Sequence, residues 1–195
     1  MNVAEAEQFA ISTLASGLSP TLYYHGLHHV LDVVEAAGRI AQAEYITDAE
    51  SLNLLKTAAL FHDIGFISTY NGHEAWGCQY VREVLPRFGY EQGQIEAICG
   101  MIMATRVPQM PQTKLEEILC DADLDYLGRN DFEPIAHSLY DELKVRNMVA
   151  DETAWNRIQV KFLESHHYWT PTAIATRQAA KQQRLDALRV LVDAV

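Results

Sequence analysis

The stretch LKTAALFHDIGF, Leu55–Phe66, sets a histidine and an aspartate, His62-Asp63, at the end of an apolar run with helical character. A carboxylate and an imidazole at the inner end of a core helix are costly unless something compensates them. A helix C-terminus accounts for half of this: His62 sits near the last carbonyls and Gly65 serves as the C′ residue. It leaves Asp63 badly placed, because an anion is disfavoured at the negative end of a helix. A bound cation settles both residues at once.

Outward from that stretch, helical periodicity dominates. Val3, Ala6, Phe9, Ala10, Thr13 and Leu14 share a face, as do Val30, Val33, Val34, Ala37, Ile40 and Ala41. Ile95, Ile98, Cys99, Ile102 and Met103 repeat the pattern, and so do Leu185, Leu188, Leu191, Val192 and Val195. No apolar–polar alternation is long enough for a sheet. Breakers at 16–20, 65–72, 87–90, 106–114 and 128–134 divide the runs. Thr47 or Asp48, Asp131, and Thr170 before Pro171 are the expected helix starts. The expected fold class is all-α: a compact helical bundle of eight or nine helices forming a single domain over residues 1–195. Helices from 131 onward pack on the rest, and no linker or internal repeat divides the chain.

The chain has 195 residues, 49% of them hydrophobic, and a net charge of -11. That charge repels phosphate backbones, so nucleic acid is excluded as a partner, while a small anionic substrate remains compatible with a locally positive, metal-bearing pocket. No segment approaches ~18 uninterrupted apolar residues, which excludes a membrane span. The N-terminus lacks the basic and apolar blocks of a signal peptide. Cys78, Cys99 and Cys120 form no C-x-x-C pair and read as reduced core residues of a cytoplasmic protein.

Two more elements concentrate ligand-type side chains. In YYHGLHHVLDVV, Tyr23–Val34, His25 and His29 lie four apart, on one face if the segment is helical, while His28 points elsewhere. Alone, that pair reads as a polar helix start or as satisfied core imidazoles rather than as a metal site. In EEILCDADLDYLGR, Asp121, Asp123 and Asp125 fan out over ~200° of a helix, so they cannot all face one ion. The expected arrangement turns one inward and leaves two solvated.

The ordered set His…His-Asp…Asp, each member on its own helix, resembles the signature of the HD superfamily of metal-dependent phosphohydrolases over about residues 20–130. AALFHDIGF is similar to the family's His-Asp helix. DADLDYLG is similar to its distal aspartate helix, where the ligand follows a small residue and precedes an apolar one, which selects Asp123. YHGLHHVLDV is similar to a Tyr-His-Asn-x-x-His stretch, with Gly26 where Asn is common. There the second histidine binds metal, which selects His29. His25 takes the place of the general acid of the related cyclic-nucleotide phosphodiesterases.

The resemblance implies a metal site of His29, His62, Asp63 and Asp123. This nitrogen–oxygen set suits one divalent ion, Mn, Fe, Co, Ni, Zn or Mg, with positions left for water. It implies attack of activated water on a small phosphate mono- or diester, nucleotide-like in kind, with Asp63 accepting a proton and His25 protonating the leaving group. His73 fits an H-x-x-x-G spacing with Gly77 and is assigned to catalysis or substrate. Glu74 beside it reads as a substrate contact or as an anion in the first turn of a helix. Thr105 stands where binuclear relatives carry histidine, which favours a single metal. Arg106 is the candidate phosphate clamp, or a helix-terminal cation; Lys114 and Arg129 are weaker candidates. His137, His166 and His167 lie outside the signature and read as packing or surface. The apolar end of the tail is a candidate homodimer seal. Two alternatives stay open: a metal- or ligand-binding regulatory module without turnover, and an iron-dependent oxygenase of the same fold.

Overall fold

The computed structural model describes residues 1–193, and Val195 of the predicted tail face lies outside them. Among the described residues there are nine α-helices and no strand, with 74% of the structure helical. They are α1 Val3–Gly17, α2 Leu27–Ala43, α3 Ala49–Phe61, α4 His73–Val84, α5 Gln92–Ala104, α6 Lys114–Asp123, α7 Phe132–Val145, α8 Glu152–Ser165 and α9 Pro171–Asp193. Three 3-10 turns, Ile64–Ile67, Leu85–Phe88 and Asp125–Gly128, tighten the connections after α3, α4 and α6.

Short polar side chains start these helices by accepting the free backbone N–H groups of the first turn. Asp48, rather than Thr47, caps α3 by accepting from Ser51 N at 2.7 Å. Thr170 accepts from Ala173 N at 3.1 Å and opens α9 at Pro171. Asp131 precedes α7 but makes no capping bond. Thr113 and Glu116 form a reciprocal capping box on α6.

The apolar faces bury against each other in two clusters. The larger joins α1 to α6, with α2 packed on α3 and α6, and α5 on α3, α4 and α6. The smaller gathers α7, α8, α9, the 125–128 turn and Tyr24. The tail face continues only to Leu185, which is buried, and Leu188, which is partly buried; Val190 and Leu191 are exposed.

Two sequence expectations need correction. Asp121 and Asp125 are buried, not solvated. Asp121 accepts from Trp169 N at 2.9 Å and Thr170 N at 2.7 Å, so it holds the corner that leads into α9. Asp125 accepts from Arg39 at 2.7 Å and from Arg177 at 2.8 and 3.1 Å, tying the 125–128 turn to α2 and α9. Buried carboxylates persist when donors satisfy them, and here backbone amides and guanidiniums do. Gly65 is not a left-handed C′ residue. It lies in the 64–67 turn, and a Cβ there would meet the carbonyl oxygen of His73 at 2.0 Å. Its role is close approach, letting the start of α4 seat against the end of α3.

Candidate metal centre

Three separate helices deliver the ligand-type side chains to one point. His29 lies in the first turn of α2, His62 caps α3, Asp63 follows it, and Asp123 ends α6. His29 Nε2 lies 3.1 Å from Asp123 Oδ1 and 3.4 Å from His62 Nε2. One donor atom each from His29, His62 and Asp123 falls within 4.8 Å of the others. Asp63 Oδ2 closes on the same point, 3.3 Å from His62 Nε2 and 3.5 Å from His29 Nε2.

The surroundings aim these atoms. His62 Nδ1–H donates to the carbonyl of Ala59 one turn back at 2.8 Å, which leaves Nε2 as the inward-facing nitrogen. Asp63 Oδ1 lies 3.4 Å from His73 Nε2. Asp63 Oδ2 is buried with no hydrogen-bond partner. A buried carboxylate oxygen without a donor is costly, and two inward imidazole nitrogens beside it supply none unless they take up protons. The electrostatics express the same demand for positive charge. Burial opposes a charged His62, yet Asp63 and Asp123 outweigh it and hold its pKa well above the ordinary value. Burial likewise opposes ionised Asp123, but hydrogen bonds to His29 and His62 bring it down to about 2. Two imidazoles, two carboxylates and an unmatched oxygen fit a divalent cation with nitrogen and oxygen ligands.

Match to a family model follows the same residues. The HD-domain model covers residues 26–125 of the chain, from the start of α2 through Asp125. The chain belongs to the HD-domain family. No curated protein matches it in sequence. Among solved structures, a structural-genomics target from Lactobacillus plantarum resembles this HD domain with a TM-score of 0.69 at 18% identity, covering 100% of this chain and 98% of that one. Bacillus subtilis YpgQ, solved in complex with ADP, gives a TM-score of 0.66 at 17% identity over 100% and 97%. At these identities the likeness is one of fold.

Beside the cluster opens a cavity of about 590 Å³, lined at its polar end by His25, Asp63, His73, Glu74, Arg106 and Asp123. His25 is not on α2, which begins at Leu27; it lies in the turn before it. Its ring is 6.1 Å from that of His29 and still reaches the cavity. Phe66 stacks between the rings of His25 and His73, at 4.1 and 3.9 Å, and sets their separation. Glu74 is buried 3.7 Å from His73 Nε2. Arg106 follows α5, lines the cavity and makes no ion pair among the described residues. Lys114 and Arg129 are instead engaged, with Glu44 and Glu117 and with Asp32 and Asp131, so neither serves as a free phosphate clamp.

Glu142 is the residue that sequence reasoning missed. It is buried on α7 and accepts from Tyr24 N at 2.8 Å, His25 N at 3.0 Å and the Tyr70 hydroxyl at 2.9 Å. The two amides meet Oε2, while His25 Nδ1 lies 2.5 Å from Oε1, the oxygen that also accepts from Tyr70. The only trace in the sequence is a glutamate at an apolar-face position of YDELKV, which alone resembles a surface charge.

Proposed function

We propose that this HD domain is a metal-dependent phosphohydrolase that cleaves a small, nucleotide-like phosphate mono- or diester. The observation that carries the reading is Asp63 Oδ2, buried without a partner and aimed at His29 and His62. His29, His62, Asp63 and Asp123 are the proposed ligands of a single divalent ion. Bound there, such an ion supplies Lewis acidity toward a phosphoryl oxygen and acidifies water.

The remaining steps belong to side chains around the cavity. Arg106, free of ion pairs, binds the non-bridging phosphate oxygens. His25, anchored through Nδ1 on Glu142, keeps Nε2 to protonate the departing oxygen. His73 holds Asp63 by Oδ1 and so orients Oδ2. Glu74 backs His73 at the same end of the cavity. The ADP bound to Bacillus subtilis YpgQ fits a nucleotide-like ligand for a site of this fold. The free thiols of Cys78, Cys99 and Cys120 fit a reducing, cytoplasmic compartment.

The test is a phosphate-release screen over nucleotides, cyclic nucleotides and sugar phosphates with several divalent metals, wild type beside Asp63→Ala. Release in the wild type that drops at least 100-fold in Asp63→Ala supports the reading. Release that survives the substitution, or metal and ligand binding with no release from any ester, overturns it.

A further inference from the structure

We infer that the end of the ester remote from its phosphate is a flat, largely apolar group of aromatic size, held in a chamber between α7 and α8. This rests on the phosphohydrolase reading for the phosphate end alone. On α7, Phe132, Ala136, Leu139 and Leu143 recur at i, i+4, i+7 and i+11 and all line the cavity. On α8, Trp155, Ile158, Phe162 and Leu163 recur at i, i+3, i+7 and i+8 and line it from the other side. Two apolar helix faces of this kind ordinarily interlock. Here α8 packs on α9 and α7 on the 125–128 turn; Trp155 stacks on Tyr140 of α7 at 6.2 Å, and the other lining side chains of the two faces look at each other across the cavity.

The chamber is continuous with the polar end, because the same 590 Å³ space touches His25, Asp63 and Asp123. Its size is that of small-molecule sites, and its mouth carries the exposed apolar side chains Val107, Met148 and Ile158. Only a few polar groups stand on its walls, and several of them are already engaged. The Tyr70 hydroxyl donates to Glu142 and the Thr105 hydroxyl to Ile102 O. Gln159 is the only side-chain amide among the lining residues; its Nε2 donates to Asn156, which leaves its Oε1, the Trp155 indole N–H and the paired Tyr24 and Tyr126 hydroxyls as the few remaining partners. Sugar hydroxyls placed here would lose water and find few partners, at a cost of roughly tenfold in affinity for each stranded group. A flat or aliphatic group instead gains from leaving water.

Calorimetric binding of 1-naphthyl phosphate, methyl phosphate and glucose 6-phosphate, with and without Mn²⁺, tests this independently of turnover. The naphthyl ester is expected to bind at least ~10-fold tighter than the other two. Ala136→Phe, which fills the chamber, and Ile158→Glu, which charges its mouth, should each erase that preference by about tenfold. Ile158 is 41% exposed, so its substitution does not unload the core. Glucose 6-phosphate binding as tightly as the naphthyl ester, or a preference that survives both substitutions, overturns the chamber. Absence of phosphate release from every ester, with the binding preference intact, removes the hydrolase reading and leaves the chamber standing.

Discussion

His25 and Glu142 stand 117 positions apart in the chain, and His25 Nδ1 lies 2.5 Å from Glu142 Oε1. Glu142 Oε2 accepts from the backbone amides of Tyr24 and His25. One carboxylate from the smaller core cluster therefore fixes both the position and the ring orientation of a histidine that faces the metal-centre cavity.

Glu142→Gln keeps the shape but removes the charge behind the imidazole. Hydrolysis is expected to fall on the order of 10–100-fold, through kcat more than KM. The pH profile of kcat/KM should shift on the limb that reports the acid group. An unchanged profile with equal loss in KM would mark Glu142 as merely structural.

The same carboxylate makes the protein acid-sensitive in a defined window. Burial raises the Glu142 pKa, but hydrogen bonding and the charge of His25 outweigh it and bring it from 4.5 to about 2. A depressed carboxylate pKa contributes stability that is fully present above about 4.5 and lost as pH falls toward about 2. The contribution is on the order of 2–3 kcal/mol. Urea midpoints of wild type and Glu142→Gln should converge as pH drops through that window.

Asp123→Ala and Asp121→Ala separate ligation from scaffolding. The first should abolish stoichiometric metal binding. The second should retain the metal and lose roughly 1–3 kcal/mol, since Trp169 N and Thr170 N lose their acceptor. Metal analysis beside thermal unfolding reads both. Metal loss in Asp121→Ala alone would reverse the assignment.

Asp125→Ala leaves Arg39 and Arg177 without their shared buried carboxylate. Removing one partner of a buried charge cluster costs about 3–5 kcal/mol, which lowers Tm on the order of 10 °C in a chain of this size. Asp131→Ala removes an exposed partner of Arg129 and should cost under about 1 kcal/mol.

Gly65→Ala puts a Cβ into the His73 backbone. The start of α4 must retreat, which costs roughly 1–3 kcal/mol. His73 moves with it and loosens its contact with Asp63, so hydrolysis should fall even where the variant is fully folded by circular dichroism.

Much of this protein is legible locally. The 3.6-residue periodicity marks helices, and Asp48 and Thr170 announce their starts because a capping bond spans only three residues. His62-Asp63 at the end of an apolar run signals a compensating charge by its energetic cost, and the resemblance to HD proteins separates Asp123 from its neighbours. What surrounds the metal centre was decided by tertiary packing. The burial of Asp121 and Asp125 depends on Trp169, Thr170, Arg39 and Arg177, which local spacing does not link to them. Glu142 and the chamber walls gain their roles only when α7 and α8 close over the first six helices, and Phe66 gains its role only where the turn before α2 meets the start of α4. Periodicity reports which side of a helix is apolar; it carries no information about which distant donor meets a buried oxygen, or whether two apolar faces interlock or stand apart.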